Sequence, residues 1–486
     1  MQSLIRIDPK VTKIVSPLDE AGYPDYAAAY NETSSRGVHP GLNVMAGLRV
    51  ILGTKGLPEE SAVVYFKKLG ISLPDDANTL FSPTEFGNNP RVLVVTGGRE
   101  PTDEQLEQLQ GTPLDQQLQY AKSHPWTRSE CPEVFQWISA NQGLVPSIES
   151  ACARPSFYMP LVSEKLLAFA SFDLFAIRQF TSFLSAFAML KLKEGQVDEA
   201  TDALIALSHL ARHTMRMPDF TVAVAACDSA AVADQAILHV ISSPECSVQQ
   251  LQKLDAGLLN LQAPSLDIDR FLEWDRWTYL DAVCHRARLI QGDPLAKKFD
   301  ISNALEISNE YFDRIAQSAN PEVADRIRFE IQSMTQEIAQ EFEVAVPDPS
   351  QLAEQPESER EVILLPAKYI KRPERLFIVD LLPTFLDGTA NRESAFRRRV
   401  CSYRLLLLGI RSILFQAEHN AFPETIDDLE RSELHIDPYS GNPFLMRSAN
   451  DEIVIYSVGE NGIDDGGPGE SFYGRDLGMK LVRQRR

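Results

Sequence analysis

The sequence predicts a mainly α-helical protein with a small α+β region at its C-terminal end. Three observations carry this. Apolar residues recur at helical spacing from about residue 160 to 344, and prolines at 244, 264, 294 and 321 cut that stretch into helix-length pieces. Two short strand-like runs, 444–447 and 453–458, follow a long helical segment, 392–419. The second run leads into Tyr456-Ser-Val-Gly-Glu-Asn-Gly-Ile-Asp-Asp-Gly-Gly467, a turn dense in glycine and oxygen-bearing side chains.

Taken in order, residues 1 to about 75 read as short helices joined by loops. One starts at Tyr26-Ala-Ala-Ala-Tyr30, and 41–52 and 59–69 carry apolar residues at helical spacing. Residues 91–98, ending in Gly97-Gly98, are the strand candidate of the first half. Neither G-x-G-x-x-G nor G-x-x-x-x-G-K follows, so a nucleotide loop is not supported.

Within the helical stretch, Ile177, Phe180, Leu184 and Phe187 make one apolar stripe. Gly195 ends that helix, and Asp198 and Glu199 acidify the start of the next, as its dipole favours. Ala200, Ala203, Leu204, Leu207 and Ala211 then line a helix rich in small residues. The pair 184–211 is similar to one tetratricopeptide-type hairpin, but no second copy exists, so two antiparallel helices of a bundle are expected. Further helices are expected at 220–241, 248–261, 267–291 and 302–343. Trp274 and Trp277 share a side with Phe271 and Leu280, a pattern of core packing.

Residues 346–359 are proline-rich and acidic and read as a linker or exposed loop. The expected division is therefore an N-terminal helical and loop region (1–150), a helical bundle (151–345), a linker (346–365), and a long helix with a small α+β domain (366–486).

Composition narrows the function classes. Of 486 residues, 44% are hydrophobic and 24% charged, ordinary for a globular protein. A net charge of −21 opposes general binding to nucleic acid or anionic membranes. The three arginines at 397–399 point in different directions on a helix and read as a solvated face. No long window free of charge suggests a membrane-spanning segment, and Met1-Gln-Ser-Leu-Ile lacks the apolar core of a signal peptide. The six cysteines show no C-x-x-C spacing; Cys131 and Cys152 would bridge only in an oxidising compartment.

Catalytic motifs are sparse. His209 and His213 have metal-ligand spacing on one helix, but Leu210 stands where a zinc protease needs glutamate, so structural histidines are expected. The nucleophile elbow G-x-S-x-G is absent, and Cys227, Asp228 and Ser229 have no identifiable base nearby. The acidic pairs Asp267/Asp269 and Glu273/Asp275 are unremarkable among 68 acidic residues.

The C-terminal motifs are more specific. Asn420-Ala-Phe-Pro423, Asp437-Pro-Tyr-Ser-Gly-Asn-Pro-Phe444 and Tyr456-Ser-Val-Gly-Glu-Asn-Gly462 occur in the order seen in type II secretion major pseudopilins, which this region resembles over about residues 400–480. The resemblance implies a pseudopilin-like α+β head with a Ca²⁺ site. Its ligands would be the Val458 carbonyl, Asn461, Asp464 or Asp465, and Asp476. Asn461 stands where the family has aspartate, the apolar fibre-building helix is missing, and Asp437 reads as a structural corner. The wider layout, with residues 17–26 and the motif Arg154-Pro-Ser-Phe-Tyr158, is similar to a set of uncharacterised bacterial proteins read as exported. On that reading Met1 replaces a removed export segment; taken literally, the start means a cytoplasmic protein.

Two functions follow as expectations. The first is a non-enzymatic exported or cell-envelope protein, with a helical body that binds a protein partner and a calcium-stabilised C-terminal domain. The alternative is an exported hydrolase whose site is assembled from scattered acidic and histidine residues.

Overall fold

A computed structural model describes residues 3–55, 57–74, 114–163, 166, 171–260, 267–317, 322–345, 363–364, 366–386, 389–449, 451–469 and 474–482. The α-helices run in chain order as α1 (Tyr26–Ser34), α2 (Val44–Leu52), α3 (Glu59–Leu69), α4 (Leu114–Ala121), α5 (Pro132–Asn141) and α6 (Val145–Cys152). Then come α7 (Ser171–Lys193), α8 (Val197–Thr214), α9 (Phe220–Ile241), α10 (Val248–Leu259) and α11 (Ile268–Ile290). The last are α12 (Ile301–Ala316), α13 (Glu322–Ala345), α14 (Arg375–Leu386) and α15 (Thr389–His419), followed by strands β1 (Leu445–Ala449), β2 (Glu452–Ser457) and β3 (Leu477–Val482). Among the described residues the protein is mainly helical with one small antiparallel sheet, as the apolar spacing predicts. The strand candidate at 91–98 lies outside the described residues.

Several helix starts are fixed by local chemistry. The side chains of Asp25, Asp219, Asp267 and Asp300 each accept a backbone N–H of the first turn, satisfying a donor that the helix leaves unpaired. Ser247 and Gln250 form a reciprocal capping box at the start of α10.

The chain forms two compact units, each built from three separate stretches. One comprises 1–37, 160–171 and 267–393; the other comprises 38–159, 172–266 and 394–486. The expected blocks 1–150, 151–345 and 366–486 do not coincide with these units. Sequence order misled here because apolar faces far apart in the chain pack together. The 346–365 stretch falls almost wholly outside the described residues. The helices flanking it, α13 and α14, pack against each other within the first unit, so it does not separate two units.

In the first unit α11 is central and packs on α1, α12 and α14. Phe271, Trp274 and Leu280 are buried along it, as their spacing predicts. Trp274 meets Tyr30 edge-on at 5.3 Å between ring centroids, and the Trp277 Nε1–H donates to Glu273 at 2.8 Å. Glu273 and Asp267 are thus occupied by a hydrogen bond and a helix cap.

In the second unit α8 packs on α6, α9 and α10. Ala200, Ala203, Leu204, Leu207 and Ala211 are all fully buried. The close partner of α8 is α9, not α7, so the tight small-residue hairpin is displaced one helix along from the expected 184–211 pair. Alanines at 223, 226, 230 and 233 on α9 are buried as well. A buried ion pair, Arg399–Asp234, ties α15 to α9.

Two helices, Phe220–Ile241 and 393–419, are long and apolar enough by length and composition to cross a bilayer, which the sequence reading did not single out. Their apolar windows are 56% and 61% buried inside the protein, as in core helices. Cys131 and Cys152 are buried free thiols, not a bridge.

The sheet order is β1-β2-β3, with Leu445 opposite Tyr456 and Ser457 opposite Leu477. The strand β3 was not expected, because Gly478 interrupts its pattern. That glycine is needed: a Cβ there would strike Tyr456 and the Ile455 carbonyl. Gly409 of α15 likewise leaves room for Met479 and Leu481, so the helix lies close on the sheet.

Candidate cation-binding loop

The loop between β2 and β3 carries all the residues expected as ligands. Its first turn is shaped by glycine. Gly459 has φ +66°, and a Cβ there would run into the Arg475 carbonyl oxygen, so the two ends of the loop touch at this point. Just before it, the Ser457 hydroxyl donates to Asp437 Oδ1 at 2.8 Å and accepts the Gly459 N–H at 3.0 Å. Asp437 is buried and also accepts the Tyr439 N–H at 2.9 Å, while its backbone N–H bonds the Asn442 carbonyl at 2.8 Å. It is a structural corner beneath the loop.

The candidate ligands fall into two groups. Asn461, Asp464 and Asp465 sit on the exposed rim, and Asp476 is buried at the base. On the rim, Asn461 Nδ2 donates to Asp465 Oδ2 at 2.8 Å, and Asn461 Oδ1 accepts the Ile463 N–H at 3.0 Å. Asp464 Oδ1 accepts the Gly466 N–H at 2.9 Å and the Tyr456 hydroxyl at 3.2 Å. At the base, Asp476 Oδ2 accepts the Gly467 N–H at 2.7 Å. Its second oxygen, Oδ1, is buried without a hydrogen-bond partner. An unsatisfied buried carboxylate oxygen is costly, and a cation is one chemical way to satisfy it.

Arg447 and Tyr456 were not foreseen. Arg447 projects from β1, donates to the Tyr456 hydroxyl and to the Gly466 carbonyl at 3.1 Å, and stands 3.8 Å from Asp464. It partly neutralises the rim. No sequence signal marks it, since the loop is reached only through strand register.

Oxygen donors alone suit a hard cation such as Ca²⁺ over a soft one. Asp476 Oδ1 fits directly. Asp464 and Asp465 would contribute by turning from their present partners. Among the described residues, no group of three or more His, Cys, Asp or Glu side chains stands close enough to hold a metal.

The histidine pair has a packing role instead. His209 Nε2 lies 3.3 Å from the Gly257 carbonyl, and His213 is buried and stacked on Phe157 at 6.0 Å. Burial, with Arg216 and His209 adding repulsion, pushes the His213 pKa down to about 4.

No protein-family model, no curated protein and no solved structure matches the chain.

Proposed function

We propose that this chain is a non-enzymatic exported or cell-envelope protein. Its helical body binds a protein partner, and its pseudopilin-like C-terminal region takes one Ca²⁺ at the 458–476 loop. The observation that supports the cation most is Asp476, 1% exposed, with one carboxylate oxygen unpaired beneath a rim bearing Asn461, Asp464 and Asp465. The Val458 carbonyl, at the start of the loop, would add a backbone oxygen. A bound ion would supply positive charge that clustered carboxylates lack, closing the loop on the sheet. The long helix lying on a small antiparallel sheet and the three ordered motifs support the pseudopilin-like reading. The exported location rests on the similarity of residues 17–26 and 154–158.

Thermal unfolding with Ca²⁺, with Mg²⁺ and with a chelator tests the cation. At about 100 times Kd, Ca²⁺ should add roughly 2.7 kcal/mol, with Mg²⁺ giving less. The variant Asp465→Ala/Asp476→Ala should lose this response. Three identical melting curves for the wild type would sink the cation site. Fractionation of cells carrying the natural gene tests location; recovery only in the cytoplasmic fraction would overturn it.

A further inference from the structure

A cavity of about 450 Å³ in the second unit lies between α10, α15 and the segment around Asp428. Its wall is aromatic: Phe415 and His419, one helical turn apart on α15, stack with ring centroids 4.0 Å apart and planes 21° apart. Its floor holds a largely buried ion pair, Arg411 Nη2 to Asp255 Oδ2 at 2.8 Å. Its margin carries Glu418, Asp428 and Glu430. Arg411 offsets Asp255 and also stands 3.9 Å from Glu430, and Asp428 caps the Thr425 turn, yet with four carboxylates against one guanidinium the lining stays acidic. Arg431 also acts on Asp255 and is itself ion-paired to Glu433.

The floor pair is incompletely bonded. Asp255 Oδ1 and Arg411 Nε have no hydrogen-bond partner. One carboxylate held by a single bond can turn to share itself with an incoming donor. Flat aromatic rings beside carboxylates form the surroundings that a planar guanidinium or an alkylammonium prefers, through stacking and charge together.

We infer that this cavity receives a basic side chain, above all arginine, presented by a protein partner. An anionic group would meet three margin carboxylates, and a purely apolar group would strand the floor pair. The inference gives chemistry to the partner-binding part of the proposed function and rests on that reading. It does not involve the cation loop, so the melting experiment and the following titration fail independently.

The test is calorimetric titration of the full chain with acetyl-Gly-Arg-Gly-amide, acetyl-Gly-Glu-Gly-amide and spermidine. The arginine peptide should bind saturably with Kd of about 1 mM or tighter, and the glutamate peptide should not bind. Glu418→Gln/Glu430→Gln, at exposed positions, should weaken arginine binding at least about fivefold through lost charge attraction. Phe415→Ala should weaken it by a similar factor through the lost stack. Absence of saturable arginine binding overturns the inference. So does equal binding of the glutamate peptide, or an unchanged Kd in both variants. Spermidine binding without arginine-peptide binding would also overturn it, pointing to a free polyamine instead.

Discussion

Acidification should destabilise the second unit through His213. The ring is buried on α8 against Phe157, and its pKa falls from the ordinary 6.5 to about 4. The unfolded chain therefore takes up a proton that the folded chain refuses. The stability this neutral histidine contributes is present above pH 6.5 and drains away as pH falls towards 4. Linkage gives a loss of about 2.5 kcal/mol by pH 4.5. Glu149 acts in the opposite sense. Burial first, and then Asp202 and Glu199, raise its carboxyl from 4.5 to about 7 while Lys253 opposes them. Its contribution is present at low pH and lost as pH rises through about 7. The wild-type curve alone would therefore mix two slopes of opposite sign. Subtraction separates them: urea unfolding from pH 7.5 to 4.5 is measured on the wild type and on His213→Phe. The variant should be within about 1 kcal/mol at pH 7.5, having lost the ring's one hydrogen bond to the Arg154 backbone. It should gain about 2.5 kcal/mol relative to wild type by pH 4.5. Parallel pH profiles would refute the reasoning and place the histidine in solvent.

Gly459 and Gly462 share nearly the same positive φ, +66° and +67°, but a Cβ at 462 meets nothing within 4 Å. Gly462→Ala should cost about 1 kcal/mol in denaturant unfolding, and Gly459→Ala clearly more, because it adds a clash to the same dihedral penalty; equal losses would show that the loop ends are not in contact. Asp234→Leu should cost about 3–5 kcal/mol by leaving the Arg399 charge buried, and Asp234→Leu/Arg399→Met should recover much of it. A double variant no more stable than the single one would contradict the burial of that pair.

The helices were the most legible part of the sequence. The ends of α3 and α9 agree with the apolar spacing to the residue, because Gly70 and the Asp219 cap mark them locally. The strand β3 was not legible, since Gly478 is selected by contact with Tyr456 on the neighbouring strand and weakens the local pattern. Of the loop, the glycines and rim carboxylates could be read directly. The burial of Asp476 could not, because it is imposed by the folded sheet. The Arg411–Asp255 floor joins residues 156 apart in sequence, a separation no local pattern encodes.

The three-stretch construction of the second unit bears on how the chain can be made. Residues 38–159 acquire their full set of neighbours only when 394–486 have been synthesised. At about 5–20 residues per second, the intervening 234 residues hold the early helices incomplete for some tens of seconds. During that interval Asp234 of α9 lacks Arg399 of α15, so a ribosome stalled before residue 394 carries a helix whose buried carboxylate has not met that charge. Completion of this unit therefore waits on residues 394–486, and a holdase that covers the waiting helices would raise its yield more than a slower ribosome would.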